Sequence, residues 1–148
     1  MDSISDGIFE RSSVDNCRFI ELDSLPSENG RICVAENTAV APFEIRRIYY
    51  LYDLPGGTER GGHAHIANRS LLVALSGAFD IVVDDGHQTR RVTINRPDRP
   101  FYLDRGIWRT LDNFSSGTVC LVLTSEKYDE ADYIRDYEEF KRLTSIKR

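Results

Sequence analysis

Two histidines, His63 and His65 in the segment Arg60-Gly-Gly-His-Ala-His65, are the residues whose type and spacing most clearly suggest chemistry. Alternate residues of an extended strand point to the same side, so both imidazoles would face one place. They are two of only three histidines in the chain, and they follow Gly61-Gly62, where the backbone can approach a ligand closely. Two solvated surface histidines, or two histidines satisfied in a polar core, would give the same pattern. The clustering favours a functional site over both alternatives.

Metal binding is the first chemistry to consider for such a pair. Metal-binding cupins have His-x-His on a barrel strand, a Glu about four residues later and a third histidine in a later Gly-x-x-His. Here the carboxylate position falls on Asn68, Arg69 or Ser70. The later pattern reads Gly106-Ile-Trp-Arg109, with arginine in place of histidine. A guanidinium is permanently charged and has no lone pair for a cation, so the sequence predicts that neither a metal nor another cofactor is bound.

Acid–base catalysis is compatible with the same residues. An unperturbed pKa of about 6.5 lets an imidazole take up and return protons near neutral pH. Two imidazoles on one face could serve adjacent substrate atoms, one removing a proton and the other delivering one. Nearby arginines would lower the pKa of both rings and keep at least one of them as a free base.

Short strands are the elements that must position this pair. Ten β-like runs are predicted at regular intervals: Cys17–Leu22, Arg31–Glu36, Ile45–Tyr52, Gly61–His65, Leu71–Ser76, Ala78–Asp84, Thr89–Asn95, Pro100–Leu103, Ile107–Leu111 and Val119–Thr124. Turn sequences separate them, the clearest being Asp85-Gly86. Many short strands with no helices between them predict an all-β fold, an antiparallel sandwich or barrel.

The two ends of the chain depart from this pattern. Residues 1–16 are polar and unpatterned, which predicts a flexible lead or an edge contribution. From Asp129 to Arg142 apolar residues recur at helical spacing, with Asp129 available as a cap. We expect this helix to pack on the barrel without chemistry of its own. The absence of repeats and linkers predicts a single domain over residues 1–148.

Charge and composition exclude several classes of protein. The net charge of −5 gives no electrostatic footprint for nucleic acid, although the many arginines between Arg46 and Arg109 could hold a small polyanion. No apolar run reaches membrane-spanning length and no signal-like segment begins the chain, which predicts a cytoplasmic protein without membrane contact. Cys17, Cys33 and Cys120 are odd in number and widely spaced, which is typical of reduced thiols.

Four motifs together resemble the sugar 3,4-ketoisomerases, whose domains are also called WxcM-like. They are the stretch from Pro42 to Asp53, Arg60-Gly-Gly-His-Ala-His65, Phe114-Ser115-Ser116, and Tyr128-Asp-Glu-Ala-Asp-Tyr-Ile-Arg135. They occur in the family's order over roughly residues 17–142. The resemblance implies a cupin-type jelly-roll β-barrel with a short C-terminal helix, a homodimer and no metal. It also implies a dTDP-linked 4-keto-6-deoxy sugar as substrate and a product used in 3-amino-sugar synthesis for a surface polysaccharide or glycoside.

The resemblance assigns catalytic roles to His63, His65 and Tyr50. Moving a ketone from C4 to C3 requires removal of the C3 proton, an enediol(ate) intermediate and protonation of C4. We assign His65 as the base at C3, His63 as the partner that reprotonates C4, and Tyr50 as a hydroxyl donor to the reacting oxygens. The two histidines could also exchange these roles.

Substrate-binding roles fall mainly on arginines. Arg47 in the Phe-x-Ile-x-Arg stretch and Arg60 beside the histidines would bind the diphosphate through bidentate contacts. Arg31, Arg109 and Ser115 are further candidates, Arg31 because its segment corresponds to one near the sugar in the family.

The chain departs from the family at Trp108-Arg109-Thr110, where many members have Trp-His-Glu. Two other functions therefore stay open. One is a sugar-nucleotide 3,5-epimerase, although its usual His–Asp dyad has no evident equivalent in the sequence. The other is a non-catalytic nucleotide-sugar-binding module. The configuration at C4 of the product and the choice between thymidine and uridine are also open.

Overall fold

Twelve short strands, several of them buried along most of their length, form the framework of the described residues. The computed structural model describes the backbone of residues 3–145 and the side chains of residues 7–145. The strands are β1 (Arg18–Phe19), β2 (Leu25–Ser27), β3 (Gly30–Ile32), β4 (Arg47–Leu51), β5 (Arg60–His65), β6 (Ser70–Ser76), β7 (Phe79–Asp84), β8 (Thr89–Ile94), β9 (Phe101–Leu103), β10 (Trp108–Asp112), β11 (Val119–Thr124) and β12 (Tyr133–Ile134). The helices are α1 (Ser3–Arg11) and α2 (Tyr137–Thr144), and single 3₁₀ turns cover Val14–Asn16 and Glu130–Asp132.

Two five-stranded antiparallel sheets form the body of the protein. Their strand orders are β1-β9-β6-β11-β4 and β12-β5-β10-β7-β8, and β2 and β3 form a separate hairpin. Leu72 and Val122 of the first sheet belong to the same buried core as Phe79, Ile81 and Val83 of the second. Two facing antiparallel sheets around one core confirm the predicted all-β jelly roll.

The predicted strands agree best around β6 and β7, most of whose residues are buried. Both the β6–β7 region and the β7–β8 hairpin around Asp85-Gly86 lie where the sequence predicts them. The second predicted run is too long, because β3 ends at Ile32 and its residues are all exposed. Strand β3 pairs with β2 in a separate hairpin, and no second neighbour among the described strands extends it.

The prediction of a flexible lead over residues 1–16 is wrong for the part that the structure describes. Helix α1 carries Phe9, which is fully buried and meets the ring of Phe140 edge-on at 6.0 Å. Ile8 and Val14 are buried as well. The helix presents too few apolar residues for periodicity to reveal it, yet its contacts with α2 hold it in place. Residues 1–2 and 146–148, which complete the predicted lead and domain, lie outside the described residues.

The predicted helix over residues 129–142 is wrong in its first half. Asp129 caps only a 3₁₀ turn, its side chain accepting a hydrogen bond from the Ala131 N–H. The next residues form β12 and pair with β5, and α2 starts only after its cap, Asp136. Tyr133 and Ile134 fit a helical stripe and a short strand equally well, so spacing alone could not separate the two.

In the described residues no helix is long and apolar enough to cross a membrane.

Replacing Phe9 by alanine tests whether the N-terminal helix is part of the fold. Because the ring is fully buried against Phe140, we expect Phe9→Ala to lower the free energy of unfolding by about 3 kcal/mol, measured by urea denaturation. Glu10→Ala, at an exposed neighbouring position, is the matched control and should stay close to the parent protein. Equal stabilities for the two variants would mean that the segment is a loose lead after all.

Candidate active site

A cavity of about 310 Å³ lies between the two sheets. Both sheets contribute to its wall through β4, β6 and β11 on one side and β5, β10 and β12 on the other. Its lining residues are Arg47, Tyr49, Leu51, Arg60, Gly61, His63, Ser70, Leu72, Arg109, Leu111, Val122, Tyr133 and Arg135. The mixture of basic, phenolic and aliphatic side chains is typical of a site for a polar ligand rather than of a core.

Strand β5 places the two histidines side by side, as their spacing predicts. Their rings are 4.9 Å apart between centroids and nearly perpendicular. His63 lines the cavity, whereas His65 is only 3% exposed. The ring of Tyr133 on β12 contacts both, at 4.9 Å from His63 and 4.3 Å from His65. The pair is therefore a packed aromatic cluster with one histidine at the cavity wall.

Gly61 allows β5 to come close to β10 beside this cluster. Its φ of +91° is a backbone conformation that side chains rarely adopt, and a Cβ there would lie 2.9 Å from the Arg109 carbonyl oxygen. The β5–β10 register shifts between Arg109 and Thr110, and Arg109 pairs directly with His63. Gly61 thus serves the approach of a neighbouring strand, whereas a Cβ at Gly62 would meet no atom of the described residues within 4 Å; the sequence alone suggested the approach of a ligand for both.

An aspartate that the sequence analysis did not select contacts the second histidine. His65 Nδ1 lies 2.9 Å from Asp132 Oδ2. The same carboxylate accepts hydrogen bonds from the backbone N–H groups of Ala67 (2.7 Å) and Asn68 (3.2 Å). Burial alone raises the pKa of Asp132, but the bonds from His65 and the two backbone groups prevail and lower it. Asp132 is therefore an ionised hydrogen-bond acceptor.

Both imidazoles are neutral at physiological pH. Burial, reinforced by the Arg109 charge and by the neighbouring histidine, lowers the pKa of His63 to about 2. Burial also lowers the pKa of His65 to about 4, although the hydrogen bond to Asp132 acts in the opposite direction. The His65–Asp132 contact is thus a neutral N–H donating to a carboxylate, not an ion pair. Both rings keep a nitrogen lone pair, as a general base requires.

Positive charge accumulates around the cavity without matching carboxylates. Arg109 is 4% exposed, and its guanidinium donates two long hydrogen bonds, of 3.4 Å, to the Ile107 carbonyl. Within the described residues, no acidic side chain lies within 4.0 Å of the guanidinium groups of Arg47, Arg60 or Arg109. Burial lowers the pKa of Arg109 because the charged form loses its hydration. Such a group gains from an anion that enters the cavity.

Strand alternation separates Tyr50 from the site. Arg47, Tyr49 and Leu51 on β4 line the cavity, whereas Tyr50 points away and is 60% exposed. Arg47 and Tyr50 are three residues apart and so cannot share one face of a strand. The phenols at the cavity belong instead to Tyr49 and Tyr133. Counting two residues from Arg47 would have selected Tyr49 from the sequence.

Two other predicted binding residues lie apart from the histidines. Arg31 is on the exposed β2–β3 hairpin, where its guanidinium donates to Ser24 Oγ at 3.3 Å. Ser115 stabilises the turn between β10 and β11, because its Oγ accepts from the Ala78 N–H at 2.9 Å and bonds with Thr118 Oγ1. Of the predicted set, the structure brings together His63, His65, Arg47, Arg60 and Arg109.

The sequence analysis missed three site residues, Asp132, Tyr133 and Arg135, which follow one another around β12. Arg135 lines the cavity, its guanidinium stacks 4.2 Å from the Tyr133 ring centroid, and its Nε donates to Glu130. The segment was interpreted as part of a packing helix. The available signal was the sequence Asp132-Tyr-Ile-Arg135, which brings acidic, phenolic and basic side chains together. A helix that only packs on the barrel does not need this combination.

Acid should destabilise the protein in a pH range set by the histidines. An unfolded imidazole binds its proton near pH 6.5, whereas folded His65 binds one only near pH 4. Between these values the unfolded chain binds more protons, so the free energy of unfolding falls as the pH falls, by about 3 kcal/mol for His65 alone. Urea denaturation over this range should show the loss, and His65→Asn should make it shallower. A free energy of unfolding that stays constant down to about pH 4 would contradict these directions.

Comparison with known proteins shows to which family the chain belongs. Residues 15–145 match the family model described as FdtA: WxcM-like, C-terminal. The TDP-4-oxo-6-deoxy-alpha-D-glucose-3,4-oxoisomerase of Aneurinibacillus thermoaerophilus is 35% identical over 125 residues, 84% of this chain and 90% of that protein. The structure of a TDP-quinovose 3,4-ketoisomerase from Campylobacter jejuni is 40% identical, with a TM-score of 0.83 and coverage of 86% of this chain and 98% of that chain.

A third similar structure contains a ligand. It is a His-to-Asn variant of a 3,4-ketoisomerase from Thermoanaerobacterium thermosaccharolyticum in complex with TDP-4-keto-6-deoxyglucose. It is 29% identical, has a TM-score of 0.86 and covers 88% of this chain and 94% of that chain. The family match over most of the chain and the extent of these similarities show that the protein belongs to the FdtA, WxcM-like family of sugar 3,4-ketoisomerases.

Proposed function

We propose that this protein converts TDP-4-keto-6-deoxyglucose into the corresponding TDP-3-keto-6-deoxyhexose. The observation that carries the proposal is a pair of neutral histidines, one of them at the wall of a cavity where Arg47, Arg60 and Arg109 have no acidic partner within 4.0 Å among the described residues. Similar proteins named for this isomerisation, one of them solved with this sugar nucleotide, support the choice of substrate.

The diphosphate would bind at the basic part of the cavity wall. Arg47 is partly buried and Arg60 is exposed, so a charged ligand can reach both from solvent. Guanidinium groups offer paired donors that match phosphate oxygens. Arg47 also lies 5.2 Å from the Tyr49 ring centroid, which limits the directions in which it can point. The sugar would then enter the deeper part of the cavity, beside His63.

The reaction requires only proton transfers. A base removes the proton from C3, the electron pair forms the C3–C4 double bond, and the C4 carbonyl oxygen becomes the enediolate oxygen. That oxygen gains a proton, the O3 hydroxyl loses one, and C4 receives a proton as the C3 carbonyl forms. Two hydrogens leave C3 and O3 and two arrive at C4 and O4, so no external oxidant or reductant is needed.

We assign His63 as the base that contacts the sugar, since it is the histidine that lines the cavity. This reverses the roles expected from the sequence, where His65 was the first base. His65, 4.9 Å away, serves as the second proton carrier. Tyr49 replaces Tyr50 as the hydroxyl donor, and burial raises the pKa of Tyr49, which keeps its phenol protonated. Arg109 would stabilise the enediolate oxygen, because its buried guanidinium forms no ion pair with a described carboxylate.

The activity can be measured directly by NMR analysis of the product formed from TDP-4-keto-6-deoxyglucose. We expect a 3-keto product that carries solvent deuterium at C4, the carbon that receives a proton. His63→Asn should lower kcat by at least about 100-fold, because a general base is lost. Arg109→Met should lower kcat more than it raises KM if the charge acts on the enediolate.

Two outcomes would count against this assignment. Undiminished deuterium exchange in both His63→Asn and His65→Asn would exclude the histidines as proton carriers. Wild-type kinetics in Arg109→Met would exclude its role at the oxygen. His87→Asn is the matched histidine control, because His87 lies in the β7–β8 hairpin and contacts the carbonyl of Thr144 on α2.

One observation favours the 3,5-epimerase as a second candidate. The sequence offered no evident His–Asp dyad, but the structure contains one in His65 and Asp132. An epimerase would exchange the protons at C3 and C5 without moving the ketone from C4. The same NMR analysis separates the two reactions, because only the isomerase yields a 3-keto sugar.

We further propose that the active protein is a cytoplasmic homodimer whose product enters the synthesis of an amino-sugar-containing polysaccharide or glycoside. Support for the dimer comes from β4, the edge strand of its sheet. Ile48, Tyr50 and Tyr52 are each more than half exposed there, and Tyr50 and Tyr52 contact each other at 6.0 Å. An apolar edge of this kind suits a second copy related by twofold symmetry.

Charge introduced at this edge tests the dimer. We expect the parent protein to sediment as a dimer, and Tyr50→Glu to shift it towards monomer because a carboxylate would be buried at the interface. Thr89→Glu, at an exposed position on the edge strand β8 of the opposite sheet, is the matched control and should remain dimeric. A Tyr50→Glu protein that sediments like its parent would place any interface elsewhere.

A further inference from the structure

Asp132 is held at a fixed position by three hydrogen bonds from neighbouring groups. Its Oδ1 accepts from the Ala67 N–H at 2.7 Å, and its Oδ2 accepts from the Asn68 N–H at 3.2 Å and faces His65 Nδ1 at 2.9 Å. The Asp132 carbonyl also accepts from the Ile66 N–H. The residue thus bridges the end of β5 to the turn that precedes β12, and its side chain is only 11% exposed.

This geometry determines which nitrogen of His65 carries the proton. An ionised carboxylate can only accept hydrogen bonds, so the nitrogen that faces it must be the donor. A neutral imidazole has a single N–H, and placing it on Nδ1 leaves Nε2 with a free lone pair. The two nitrogens lie on different edges of the ring, so that lone pair points away from Asp132. His65, whose ring lies next to that of His63, is therefore a hydrogen-bond acceptor at Nε2.

We propose that Asp132 is a positioning residue for the isomerisation, holding His65 in the Nδ1–H tautomer so that Nε2 can accept a proton. The inference rests on the proposed function, in which His65 is the second proton carrier. Asp132 acts only through His65, since it is not among the residues that line the cavity. The resemblance to the sugar 3,4-ketoisomerases assigned no role to Asp132, which lies 67 residues from His65 in the chain.

An amide in place of the carboxylate would reverse the tautomer. Asparagine has one accepting oxygen and one donating NH₂ group. The shorter backbone bond, from the Ala67 N–H, retains the oxygen at the Oδ1 position at the cost of the longer bond from the Asn68 N–H, and the NH₂ group then faces His65 Nδ1. Nδ1 must then accept, so the proton moves to Nε2 and the lone pair needed there is lost. The shape of the side chain is almost unchanged, which separates this effect from a loss of packing.

Asp132→Asn and Asp132→Glu test the proposal together. We expect Asp132→Asn to lower kcat at least about 100-fold with KM changed less than about threefold, as for other catalytic histidines forced into the wrong tautomer. Asp132→Glu retains a carboxylate and should recover at least about tenfold of that loss. In ¹⁵N NMR spectra of the free protein, the His65 proton should move from Nδ1 in the parent to Nε2 in Asp132→Asn.

Asp129→Asn is the matched control from the same turn. Asp129 caps the 3₁₀ turn by accepting from the Ala131 N–H at 3.0 Å, and it is exposed. This variant should keep both kcat and the His65 tautomer. A His65 proton that stays on Nδ1 in Asp132→Asn, or a kcat within about threefold of the parent, would overturn the proposal. Equal loss of activity in the Asn variants at 129 and 132 would also overturn it, because only the integrity of the turn would then matter.

Failure of the proposed function gives a different result. If the parent protein does not form a 3-keto sugar, the isomerase assignment is wrong, but the ¹⁵N spectra still report whether Asp132 sets the His65 tautomer. If the parent is active and the tautomer is insensitive to residue 132, the isomerase assignment stands and the positioning role is wrong.

Discussion

The site depends on the pairing of β5 along both of its edges. One edge bonds to β10 and sets Arg109 opposite His63, and the other bonds to β12 and sets Tyr133 opposite His65. A shift of one residue in either register would turn the interacting side chains to the opposite face. The bulge at Arg109/Thr110 and the positive φ of Gly61 hold the first register in place. The geometry of the candidate site therefore depends first on the pairing of β5 with its two neighbours, which positions the side chains.

Electrostatics in the cavity follow from this arrangement. Burial, reinforced by the charge of Arg109, lowers the pKa of both histidines and keeps their rings unprotonated. Asp132 is the compensating negative charge, but it contacts His65 and not a guanidinium. The cavity is left with surplus positive charge, which a diphosphate and a developing enediolate would both relieve. In the proposed function, substrate binding and catalysis would use the same charge imbalance.

Sequence patterns could predict what depends on period-two alternation. The two facing sheets and the shared face of His63 and His65 follow from that rule, and the motif order indicated the family. Arg47 and Tyr50 were both chosen from the motif without regard to alternation, and the structure puts Arg47 and Tyr49 at the cavity. The contribution of β12 could not be predicted, because a two-residue strand has no periodicity and forms only where β5 offers an edge. Helix α1 escaped detection for a similar reason, since its anchor is essentially one ring, Phe9, against Phe140.

The late position of Asp132 in the chain has a consequence for the timing of folding. Its partner His65 is synthesised 67 residues earlier, and the strands between them must close the barrel before the two can meet. A nascent chain that ends before β12 leaves one edge of β5 unpaired and His65 without its acceptor. Such a chain can contain much of the hydrophobic core and still lack a competent site. The candidate site is therefore complete only once β12 has been synthesised and has paired with β5.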